Sequence, residues 1–184
     1  TLSGEVAQPI GDPQAEWFAT GASAAVGLHR PLSDWLLVGL RLQIGMLQDG
    51  DPPSTVGLVD PGAGGFGSLT LGLRVRWLTR SEDRRRGVGP FVDLGAGPAL
   101  TGDLLRLSLA VGIGWGFAVG PIDLSPTVRL LQIVETEDEL EDRDARVLLF
   151  GIELCLLDAR GQGQLPVAPS DRDHDGVIDA EDAC

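Results

Sequence analysis

The sequence predicts an all-β fold: eight long strands, antiparallel and up-and-down, closing into a barrel. Three observations carry that prediction. The first is alternation, cleanest in Leu105–Val119 (LRLSLAVGIGWGFAV). There every odd position is large and apolar, from Leu105 through Trp115 to Val119, and every even position is Arg106 or a Ser, Ala or Gly. A period of two puts the two sets on opposite faces of an extended chain. The second is the placement of Gly112, Gly114 and Gly116, each of which would cost roughly 1 kcal/mol inside a helix. The third is repetition: seven other stretches alternate in the same way, with turn-rich segments between them and no helical period anywhere.

In order, Thr1–Ile10 is the faintest strand, with Leu2, Val6 and Ile10 on one face; Gly11–Glu16 turns the chain. Trp17–Leu28 sets Phe18, Thr20, Ala22, Ala24, Val26 and Leu28 against Ala19, Gly21, Ser23, Ala25 and Gly27. After the turn His29–Asp34, Trp35–Met46 opposes a Leu/Val/Ile/Met face to Gly39, Arg41, Gln43 and Gly45. The long loop Gln48–Gly65 leads to Phe66–Trp77, where Leu69, Leu71, Leu73 and Val75 oppose Ser68, Thr70, Gly72, Arg74 and Arg76. A charged turn, Thr79–Gly87, precedes Val88–Leu100, with Val92, Leu94 and Ala96 against Asp93, Gly95 and Gly97. The link Thr101–Leu104 enters Leu105–Val119, and Gly120-Pro121 leaves it. In Ile122–Val134, Asp123, Ser125, Thr127 and Arg129 share one face; an acidic loop, Glu135–Asp144, follows. Ala145–Leu157 closes the series, with Leu148, Phe150, Ile152, Leu154 and Leu156 against Val147, Leu149, Gly151, Glu153 and Cys155. The domain plan is a barrel over 1–157, a linker over 158–170 and a separate acidic segment over 171–184.

Which face lies inside follows from composition. A solvent face built from Gly, Ser and Ala would lack the charge that keeps sheets apart. Placed inside a narrow barrel, the same residues fit where the wall curves tightly. The large face then points outward, which only lipid accommodates, so a transmembrane barrel is expected. Arg41, Arg74, Arg76, Arg106 and Arg129 would share the interior with Asp93, Asp123 and Glu153 as a salt-bridge network, because buried charges must pair. The third and seventh connections are the longest, which places them outside the cell and both termini in the periplasm of a bacterial outer membrane. The thin supply of interfacial aromatics, four Trp, five Phe and no Tyr, runs against the pattern.

The totals exclude other classes. The chain has 184 residues and a formal net charge of −13, from 27 acidic and 14 basic residues. All the basic residues are Arg, which hints at a GC-rich bacterial genome, and the outer-membrane reading implies a Gram-negative bacterium. Such acidity argues against nucleic acid as a partner. Only His29 and His174 could serve as imidazole bases, one in a turn and the other among carboxylates, so no enzyme is expected. His29 with Ser33 and Asp34 is better explained by turn chemistry than by catalysis. Cys155 on the lean face reads as a small core residue.

The sharpest motif is at the end: Asp171, Asp173, Asp175, Asp179 and Asp182 stand at positions 1, 3, 5, 9 and 12 of a loop with Gly176 at position 6. That is the oxygen-ligand layout of a Ca2+ loop, with the Val177 carbonyl at position 7. Asp182 replaces the usual Glu, which shortens the reach for a bidentate contact. The segment DRDHDGVIDAEDAC resembles a thrombospondin type 3 repeat, and the pattern over 1–157 resembles the barrel of the outer-membrane protein A-like family. In that family's larger members the barrel is followed by such repeats and then by a peptidoglycan-binding domain, to which no part of this sequence corresponds. In the repeats, the cysteine pairs with one in a neighbouring repeat. The resemblance implies a non-enzymatic outer-membrane anchor with a calcium-stiffened periplasmic stalk and, in a longer protein, a cell-wall-binding domain. An accessory barrel subunit meeting other envelope proteins, or a narrow channel, are the alternatives.

Overall fold

The computed structural model describes residues 1–11, 14–51, 62–76, 88–119, 122–134 and 144–156. They form one closed barrel in which each strand pairs antiparallel with its neighbours in sequence and β8 pairs back with β1. The strands are β1 (Leu2–Ile10), β2 (Phe18–Pro31), β3 (Leu36–Asp49), β4 (Gly64–Val75), β5 (Gly89–Thr101), β6 (Leu104–Val119), β7 (Ile122–Val134) and β8 (Ala145–Leu156). The faint first strand is a full member: all nine of its residues pair with β8. Closure leaves no open edge whose N–H and C=O groups would need partners.

Up-and-down order sorts the connections by end. Both ends of the barrel chain, Leu2 and Leu156, lie at one rim with the connections β2–β3, β4–β5 and β6–β7. We call this the terminal rim. The connections β1–β2, β3–β4, β5–β6 and β7–β8 leave from the opposite, loop rim. At the loop rim, the expected turn before β2 holds one turn of helix, α1 (Gln14–Trp17). There too the β5–β6 link is a two-residue turn in which Gly102 takes φ +59°, a conformation that favours glycine.

The alternation holds along the barrel with one break. Between Ala19 and Ala22 the β2–β3 register shifts by a residue. A bulge of this kind turns the strand over. Phe18, expected on the same outer face as Ala22 and Ala24, instead packs against the interior cluster.

Candidate functional site

The wall is inverted relative to a water-soluble protein. Large apolar side chains are on the outside: Ile44 is 64% exposed, Met46 69% and Leu71 60%, with Trp115 and Phe117 stacked beside one another on β6. On β3 the outer face is apolar from Leu36 to Met46, and Gln48 follows. Ten residue steps span about 33 Å along the strand, or about 25 Å along the axis at the usual tilt. That height matches the apolar band of membrane barrels, about 25 Å. Polar side chains mark the loop-rim edge of the band: Thr20 Oγ donates to Gln8 Oε1 (2.5 Å), and Gln132 Nε2 donates to an Asp144 carboxylate oxygen. No helix among the described residues is long and apolar enough to cross a membrane; a barrel crosses with strands.

Inside, six charged side chains among the described residues form an alternating chain: Glu5, Arg41, Glu153, Arg74, Asp93, Arg129. It draws on β1, β3, β8, β4, β5 and β7 in turn. Arg74 is its centre. Its Nε and Nη2 grip Asp93 as a fork (2.7 and 2.9 Å), while Nη1 and Nη2 donate to both oxygens of Glu153 (2.6 and 3.0 Å). Asp93 also accepts from Arg129 (2.9 Å). Arg41 joins Glu5 (2.5 Å), Ser3 (2.7 Å) and Glu153 (3.4 Å). Ser23 and Gln43 both donate to the remaining Glu5 oxygen at 2.9 Å. Three cations therefore meet three anions, with hydroxyl and amide donors filling remaining acceptor positions.

The glycines of β6 make room for this interior. A Cβ on Gly112 would stand 3.3 Å from the Arg129 guanidinium, and one on Gly114 would collide with the Phe91 ring. Phe91 lies across the β5–β6 pair from Gly114, and Arg74 stacks over its ring at 4.1 Å from the centroid. The same device recurs on β3 and β4, where the Phe66 ring covers Gly45. Phe91 and Phe66 thus each fill the space left by a glycine on the next strand.

The expected network is present in part. Arg41, Arg74, Arg129, Asp93 and Glu153 are joined by ion pairs. Arg76 is buried near Phe91, and Arg106 faces inward, half-buried. Asp123 is buried, and neither of its carboxylate oxygens has a hydrogen-bond partner among the described residues. The sequence reading missed Glu5, although its place opposite Leu2 and Val6 on β1 was the available signal. It also missed the apolar interior toward the loop rim, where Leu131 and Leu149 are fully buried beside Phe66 and Ile133. Ser33 plays the expected turn role: its hydroxyl accepts from the backbone N–H of Trp35 and Leu36, while His29 is held between Gly27 and Gly39. Cys155 faces inward, half-buried, on β8. The proposed calcium ligands Asp171, Asp173, Asp175, Val177, Asp179 and Asp182 lie outside the described residues.

No family model matches the sequence, and no curated protein matches it. Among solved structures, Neisserial surface protein A has a similar fold, with a TM-score of 0.52 over 82% of this chain and 92% of that one at 16% identity. At that identity the likeness concerns the fold, a closed eight-stranded antiparallel barrel.

Proposed function

We propose that this chain is a non-enzymatic outer-membrane barrel whose task is anchorage. The observation that carries the reading is the inversion of the wall, with a continuous apolar band outside and a charge-paired interior inside. Only lipid accepts such a band, and a closed barrel leaves no backbone group unpaired within it. The likeness to a Neisserial surface protein barrel supports the same assignment. Both ends of the barrel chain leave from one rim, opposite the longest connection, β3–β4, which supports termini on the periplasmic side, although the nearly equal β4–β5 connection leaves from the terminal rim.

In this reading Asp171–Cys184 binds Ca2+ through Asp171, Asp173, Asp175, Asp179, Asp182 and the Val177 carbonyl, and stiffens a stalk below the barrel. A longer protein would carry a peptidoglycan-binding domain on that stalk, and other envelope proteins would meet the loops. Detergent dependence tests the barrel assignment: the protein should require detergent to leave membranes, and partition into plain buffer would overturn it. Calorimetric calcium titration tests the stalk, with heat in the full chain that is lost in Asp173→Ala. An interior filled by paired charges and packed apolar groups predicts no conductance in a planar bilayer. A steady current would reassign the protein as a channel.

A further inference from the structure

Midway along the barrel, beside the ion-pair chain, lies a cavity of about 20 Å³. His29, Arg41, Arg74, Asp93 and Arg129 contribute to its lining, together with Gly95 of β5. Three nitrogen atoms of these same residues are buried without a hydrogen-bond partner among the described residues: His29 Nδ1, Arg41 Nε and Arg129 Nε. The Arg41 and Arg129 side chains are only 9% and 5% exposed. A guanidinium nitrogen can only donate, so both arginines lack an acceptor, and the imidazole nitrogen serves in either sense by tautomer. Buried donors left unpaired are uncommon in folded proteins. A void needs roughly 10–15 Å³ of such space to admit one water-sized particle.

We propose that this cavity is a binding site for one small hydrogen-bond acceptor, a water molecule or a halide ion, held by Arg41 Nε, Arg129 Nε and His29 Nδ1. The acceptor ties β2, β3 and β7 together at a level where their side chains do not bond one another directly. It completes the donor set of two arginines whose terminal nitrogens are already engaged with Glu5, Glu153 and Asp93. The ion-pair chain is neutral without it, three arginines against three carboxylates, which favours water. A halide would bring a net charge into the interior.

Two measurements on the full chain in micelles test the site. In the first, NMR with labelled arginine should show the Nε–H signals of Arg41 and Arg129 exchanging magnetisation with a long-lived water. If a halide is the occupant, bromide-grown crystals should instead show one anomalous peak between the two arginines. Neither signal, or an Nε–H bonded to a protein acceptor, overturns the proposal. The second is Gly95→Ala. Its Cβ would meet Thr70 at 3.4 Å, an ordinary contact, and would enter the cavity. If the acceptor is displaced, the thermal midpoint falls and the two Nε–H signals lose their partner. A midpoint that stays or rises marks a dry void that the methyl merely fills, and also overturns the proposal.

Discussion

The two halves of the barrel interior are held together by different physics. Toward the terminal rim and through the middle, packing is electrostatic: Arg74, Asp93 and Glu153 are almost fully buried and satisfied only by one another and their neighbours. Toward the loop rim it is apolar, with Leu131, Ile133, Val147 and Leu149 sealed together against Phe66. The outer band is continuous across both. The difference teaches where cooperativity resides. The apolar half degrades by increments, since each side chain contributes through area and cavity terms of its own. The ionic half depends on a chain whose four inner members each serve two others, so deleting one of them strands charges that water cannot reach.

The sharpest break in that comparison is Arg74→Ala. It leaves Asp93 and Glu153 without their central cation, and breaking a buried pair of this kind costs roughly 3–5 kcal/mol. Urea unfolding of the micelle-bound barrel should show that loss, and a drop below 1 kcal/mol would mean that water reaches the interior. In the other half, Leu131→Ala or Leu149→Ala should cost roughly 2–5 kcal/mol by the same measurement. The two should differ in additivity. Leu131→Ala combined with Arg74→Ala should sum, whereas Glu153→Gln combined with Arg74→Ala should cost less than the sum, because the second change relieves a charge stranded by the first.

A smaller effect is expected in the wall on the terminal-rim side of the ion pairs. Gly114→Ala pushes a methyl into the Phe91 ring, an overpacking worth about 1–3 kcal/mol. Pairing it with Phe91→Leu, which shortens the obstructing side chain, should recover part of that loss. The smallest effect is the response to salt. Changing ionic strength from about 0.01 to about 1 M shortens the screening length from ~30 to ~3 Å, yet buried pairs are screened little. The unfolding midpoint should therefore hold steady across that range, and a steady decline with salt would place the ion pairs in contact with solvent.

Much of this architecture was readable in the residue order because a barrel wall is one residue thick. Each side chain faces either in or out, so a period of two states the sorting directly, as it does from Leu105 to Val119 and from Leu69 to Val75. The charged members of the lean face could be named for the same reason. Alternation is silent where the backbone departs from it, as at the bulge that brings Phe18 inside. It is silent too on depth along the axis, so Leu131 and Ile133 were not recognised as interior packing although they share a face with Arg129.

By itself, the sequence determined the fold class, the two faces of the wall and the stock of charges confined within it, since these follow from local periodicity and composition. Only the tertiary structure decided which charges meet. Arg41 of β3 reaches Glu5 across β2, and it reaches Glu153 because closure sets β1 against β8. The Phe91 and Phe66 rings fit within the barrel because a glycine on the adjacent strand, Gly114 or Gly45, leaves each of them room. Contacts of this kind join residues far apart along the chain, and their partners are set by register and closure, which no local pattern encodes.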